Sequence, residues 1–158
     1  MKKGHNIIWV ALISLLIITA QANIKQTKPQ QTFIQKEETQ MTKVKIDWNM
    51  FFGAIRLTET GGHPKPTEAV GDNGKSIGPY QISKAYWIDS QVAGKWEDCK
   101  QYEYSRLVMM RYWQRYCLAA SNKKDWKTMA RIHNGGPHGN TKASTLKYWE
   151  KVQTYLKN

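Results

Sequence analysis

Two carboxylates frame the stretch RLTETGGHPKPTEAVGDNG, which runs from Arg56 to Gly74. Glu59 closes an apolar, helix-like run just ahead of Gly61 and Gly62, and Asp72 lies in a D-N-G turn. A glutamate at a helix C-terminus meets the negative end of the macrodipole, which disfavours its ionised form by a few tenths to about 1 kcal/mol. A carboxyl that keeps its proton near neutral pH is what a general acid requires. An aspartate held by turn hydrogen bonds stays ionised instead. Two such groups about 5 Å apart across a cleft suit a retaining glycosidase, one protonating the leaving oxygen and the other meeting the developing cation. Both residues also have plain readings, Glu59 as an exposed helix end and Asp72 as a turn closer. Glu68, in the same loop, competes for the second role.

Other chemistries find less support. His63, His133 and His138 lack metal-ligand spacing, and Gly135-Gly136-Pro137 bars a helical pair between the last two. There is no Gly-x-Ser-x-Gly elbow, and neither cysteine has a histidine beside it in sequence. GDNGKS lacks the spacer of a phosphate loop. The reading is an enzyme with no metal and no cofactor.

The elements that must position the pair are short. Trp48, Phe51, Phe52, Ile55 and Leu57 recur at helical spacing after Asp47, a fitting N-cap, and Gly61 or Gly62 can close that helix. EAVGDNGKSIGPYQI, from Glu68 to Ile82, reads as a small hairpin. Ser83 can cap a short helix ending near Gly94. A long helix is expected over about 100–117, and Asp125 can cap a helix through DWKTMARIH. After the loop NGGPHGN, Ser144 or Thr145 can cap a last helix with Leu146, Trp149, Val152 and Leu156 on one face. The fold class is α+β, mainly helical. Trp48, Phe51 and Trp149 read as core, whereas Tyr80, Tyr86 and Trp87, beside turns, are equally suited to stacking on a sugar ring.

The chain's N-terminal segments are set apart from this fold. A basic start, the apolar run Ile7–Ala20 and the small-x-small triplet Ala20-Gln21-Ala22 predict a cleaved export signal over 1–22. That run is shorter than the roughly twenty residues that span a bilayer. Residues 23–46, rich in Gln, Thr and Lys, predict a flexible polar tether, leaving 47–158 as one domain. The formal charge is +12. A cationic exported domain suits an anionic wall polymer, an acidic glycan or a lipid surface, and no nucleic-acid recognition module is present. Cys99 and Cys117 flank a helix-like segment whose ends would stand roughly 20 Å apart or more, so they are not expected to bridge.

The motifs T-E-T-G-G, D-N-G, G-P-Y-Q-I, A-Y-W-I-D, R-I-H-N-G-G-P-H-G and S-T-L-K-Y-W-E occur in that order between Ile55 and Gln153. Together they resemble the invertebrate-type lysozymes, the family that includes the destabilases. The resemblance implies a lysozyme-like fold with a small β-hairpin beside the catalytic helix. It further implies a bacteriolytic muramidase that cleaves the β-1,4 bond between N-acetylmuramic acid and N-acetylglucosamine in peptidoglycan glycan strands; the secreted or periplasmic location is expected from the export signal instead, and a monomer is expected. The resemblance makes Glu59 the proton donor and Asp72 the second catalytic carboxylate. It puts Tyr86, Trp87, Ile88, Asp89, Tyr112, His133, Asn134 and Gly135 along the sugar cleft. Structural roles stay open for these: Trp87 as core, Tyr112 as helix packing, Asn134 and Gly135 as a chain reversal. The chain departs from the family in having two cysteines, a Glu-to-Asp interval one residue longer, and Lys75 where the family has serine. No isopeptidase activity is predicted from that last position. A lytic transglycosylase and a non-catalytic glycan-binding module are the alternatives.

Overall fold

The computed structural model describes residues 45–157. The expected export signal over 1–22, and all but the last two residues of the tether expected over 23–46, lie outside the described residues. Ile46 already packs against the core.

Helix α1, Trp48–Thr60, starts where Asp47 accepts the amide of Met50 at 2.9 Å. It stops at Gly61, which takes the left-handed conformation (φ 59°) and donates its N–H to Leu57 O. Its apolar stripe buries Phe51, Phe52, Ala54 and Ile55. The expected hairpin is part of a three-stranded antiparallel sheet of two-residue strands: β1 Val70–Gly71, β2 Ser76–Ile77 and β3 Ile82–Ser83. The register pairs Gly71 with Ser76 and Ile77 with Ile82. Asp72–Gly74 forms a 3₁₀ turn between β1 and β2.

Ser83 caps α2, Lys84–Ser90, which ends sooner than expected because Gln91 turns left-handed (φ 56°). After a 3₁₀ turn over Trp96–Lys100, α3 runs Tyr102–Lys123, past the predicted end, with a break at Cys117 (φ −151°, ψ 49°). No glycine or proline in sequence marks that break. Both cysteines are free. Asp125 caps α4, Trp126–Gly135, as expected.

The last helix, α5, Ser144–Leu156, corrects the sequence reading. It follows Ala143 and has no side-chain cap. The Thr145 hydroxyl faces inward instead, donating to the carbonyls of Gly139 and Lys142 and accepting from Arg131 Nε at 3.0 Å. Burial of that tripod turns the helix so that Thr145, Val152 and Leu156 are interior, while Leu146 is exposed.

Helix α1 packs against α5, α4 packs against both α3 and α5, and α2 lies on α3. Trp48, Phe51, Phe52, Trp113 and Trp126 form one aromatic cluster at the centre, with Phe51 and Trp126 rings 4.7 Å apart. Trp113 is fully buried and donates Nε1–H to Met129 O, so its one polar atom is satisfied. Tyr80 is also fully buried, its hydroxyl accepting from Arg106 Nε. That removes Tyr80 as a sugar-stacking platform.

Candidate active site

Glu59 is in the last turn of α1, with 17% of its side chain exposed. The helix end it meets is not bare. Lys151 of α5 donates to Thr58 O at 2.8 Å, so a cation offsets part of the negative dipole end. One carboxyl oxygen, Oε1, is doubly held: Tyr148 O–H donates to it at 2.6 Å, and His133 Nε2 lies 3.3 Å away. Among the described residues Oε2 has no hydrogen-bond partner, and none of their buried side-chain oxygens or nitrogens is left unpartnered. Oε2 is therefore the atom open to the surface.

His133 is 8% exposed, near the end of α4, and its Nδ1 is 3.3 Å from Tyr86 Oη. The Tyr86 ring stacks on that of Tyr112 with centroids 3.7 Å apart and an interplanar angle of 14°. Burial pushes the Tyr86 and Tyr148 phenols well above their usual range, and the neighbouring Glu59 adds to the rise at both. Both therefore remain O–H donors. Burial raises the Tyr112 phenol too, with the Asp89 charge reinforcing it.

Four of the residues expected at the site are thus connected: Glu59, His133, Tyr86 and Tyr112. The two tyrosine rings are buried and cover each other's faces. Trp87 is half-buried and donates Nε1–H to Tyr104 Oη at 2.9 Å. Ile88 is exposed. Asp89 is half-buried, and its carbonyl accepts from Arg115 Nη1 at 3.4 Å. A cavity of about 300 Å³ opens just beyond, lined by Ser90, Gln91, Arg111, Gln114 and Arg115. Asn134 is exposed, and Gly135 gives its carbonyl to Lys142 Nζ. A Cβ at Gly135 would stand 2.5 Å from Thr145 Cγ2, so the close packing of α4 on α5 requires glycine there.

Asp72 is exposed and outside this network. Its Oδ2 accepts from the buried Ser76 hydroxyl at 3.2 Å, a proton that Gln81 Oε1 also approaches at 3.3 Å. Asp72 and Asn73 both have positive φ (50° and 55°), followed by Gly74 at 88°. Aspartate and asparagine adopt this left-handed backbone more readily than other non-glycine residues, which is why a D-N-G sequence suits the turn. Glu68 pairs at the surface with Lys65. Among the described residues no group of three or more histidines, cysteines and acids is placed to hold a metal ion.

Tyr148 is the residue that sequence reasoning missed. Its signal was present in T-L-K-Y-W: with Thr145 and Val152 it falls on the buried stripe of α5, and a phenol there needs a hydrogen-bond partner.

The Destabilase family model matches residues 54–155. The lysozyme of Ostrea edulis is 40% identical over 80 residues, 49% of this chain and 58% of that protein. The invertebrate-type lysozyme of Ruditapes philippinarum is 39% identical over 98 residues, 60% of this chain and 71% of that protein. The chain thus spans about three fifths of the length of the Ostrea relative. The crystal structure of Tapes japonica lysozyme superposes with a TM-score of 0.56 at 35% identity, covering 66% of this chain and 86% of that one. Inhibitor-bound lysozyme from Meretrix lusoria gives 0.54 at 31%, covering 66% and 87%. The helices around a small antiparallel sheet are therefore a lysozyme-like α+β fold, and the chain belongs to the Destabilase family, the invertebrate-type lysozymes.

Proposed function

We propose that this chain is an exported muramidase that hydrolyses the β-1,4 bond between N-acetylmuramic acid and N-acetylglucosamine in peptidoglycan. The observation that carries the reading is Glu59, held through one oxygen by Tyr148 and His133 with the other oxygen open, within a family of proteins named lysozymes. Glu59 gives the proton on Oε2 to the glycosidic oxygen as the bond from that oxygen to the sugar C1 breaks. Asp72 takes up the cationic C1, forming a glycosyl ester in a retaining route. Water then attacks C1, Glu59 accepts the water's proton, and the ester bond breaks. That route needs the two carboxyls about 5–5.5 Å apart. Export would follow the N-terminal signal, and the positive charge, +12 for the whole chain and +10 once Lys2 and Lys3 leave with the signal, would draw the enzyme to anionic wall polymers.

The test is reducing-end release from purified peptidoglycan by Glu59→Gln and Asp72→Asn. The glutamine variant should lose about 10²–10⁴-fold in turnover, roughly 3–5 kcal/mol of barrier. Turnover near that of the parent would end the assignment of Glu59. A second reading is favoured by Asp72 standing outside the Glu59 network: a lytic transglycosylase uses the acid alone. In that case Asp72→Asn stays active and mass spectrometry finds anhydromuramyl ends. Binding to peptidoglycan without any cleavage would instead mark a glycan-binding module.

A further inference from the structure

Four side chains from four helices form one chain of polar contacts: Tyr86 of α2 meets His133 of α4, whose Nε2 lies 3.3 Å from Oε1 of Glu59 of α1, and Tyr148 of α5 donates to that same oxygen. The directions can be assigned by counting donors. The Tyr86 hydroxyl is buried, and among the described residues His133 Nδ1 is its one polar neighbour within hydrogen-bond distance. Its hydrogen is satisfied only if Nδ1 is unprotonated, and a buried donor left unpaired costs about 1–3 kcal/mol. Nδ1 as acceptor requires the ring proton on Nε2, which has Glu59 Oε1 as an acceptor 3.3 Å away. Tyr148 O–H points at the same oxygen. Oε1 then receives two donors, and a proton of its own would face them both.

We propose that Tyr148 directly, and Tyr86 acting through the tautomer of His133, are positioning residues that confine the labile proton of Glu59 to Oε2, the oxygen open to the surface. The opposite tautomer would let Nε2 accept a proton from Oε1 and turn the acid inward, away from any substrate. The upward-shifted phenols of Tyr86 and Tyr148 keep both donors in place across the physiological range. When Oε2 releases its proton, the charge left on the carboxylate is already met at Oε1 by two fixed donors, so no side chain has to reorganise during the step. The inference rests on Glu59 being the acid of the proposed reaction.

The tautomer can be read without substrate. Nitrogen-15 NMR of the full chain, with the His133 ring assigned by its loss in His133→Asn, should show a protonated Nε2 and an unprotonated Nδ1. In Tyr86→Phe the Nδ1 signal should move toward the averaged value of a mixed tautomer. On peptidoglycan, Tyr148→Phe should lose about 10- to 100-fold in kcat with KM changed less than about twofold, because the proton is misplaced while sugar contacts persist. Tyr86→Phe should show a smaller loss of the same kind. An Nδ1–H tautomer in the active parent, or a folded Tyr148→Phe with parental kcat, overturns the positioning role alone. A parent chain that releases no sugar ends overturns the acid assignment and the positioning role with it, whatever the tautomer.

Discussion

At the scale of single residues, the backbone around the sheet turns at glycines with positive φ, for two different reasons. Gly78 follows β2 with φ 76°, and a Cβ there would lie 2.2 Å from the carbonyl oxygen of Cys99, a backbone atom that cannot rotate aside. Gly74 has a similar conformation (φ 88°), but nothing lies within 4 Å of its would-be Cβ. The two separate conformational strain from collision. Gly74→Ala should lower the free energy of unfolding by about 1–2 kcal/mol. Gly78→Ala should lower it by more than about 3 kcal/mol, strain plus displacement of the Trp96–Lys100 turn. Urea unfolding of both variants measures the difference, and equal losses would show that the Cys99 carbonyl yields freely.

At the scale of elements, helix starts decide how α4 and α5 present their site residues. Asp125 accepts both the amide and the hydroxyl of Thr128, at 3.1 and 2.7 Å. Asp125→Ala should therefore cost about 0.5–2 kcal/mol, the usual worth of an N-cap. Ser144 looks equally suited in sequence, yet α5 has no side-chain cap. Ser144→Ala should change stability by less than about 0.5 kcal/mol. Thermal melts of the pair test whether α5 is anchored by Thr145 and its tripod rather than by a cap. A large loss at Ser144 would contradict the structure.

At the scale of the whole molecule, the interior contains weak acids whose ionisation opposes folding. Burial pushes the Cys99 thiol from 9.0 up to about 12, and raises the phenols of Tyr80, Tyr86, Tyr112 and Tyr148. A folded-state value above the unfolded one means that the unfolded chain releases its proton first as pH rises. The stability linked to Cys99 is thus fully present below about pH 9 and is lost as pH climbs through about 12. Melting temperature should be level from neutral pH to about 9 and then fall steadily toward 11, followed by circular dichroism. Cys117, raised to about 11 by burial, contributes in the same direction. A melting temperature unchanged at pH 11 would show that these groups ionise as readily inside the fold as outside it.

What the sequence determined by itself is local. The caps Asp47, Ser83 and Asp125, the left-handed Gly61 and the position of Glu59 in the last turn of α1 all depend on residues three or four apart, where composition and spacing speak directly. The ordered motifs carried the family as well. His133 was named for the site, but its contact with Glu59 was not legible, and neither was Tyr148. Tyr148 is 89 residues away, and which of its faces α5 turns toward α1 depends on how Thr145 seats on the Gly139–Lys142 turn and how the aromatic core fills. Periodicity identifies a buried stripe but not the helix that covers it, because docking is settled by side-chain packing across elements distant in sequence. Hence the carboxylate itself was readable from the chain, while the two donors on its inner oxygen were decided only by the tertiary structure.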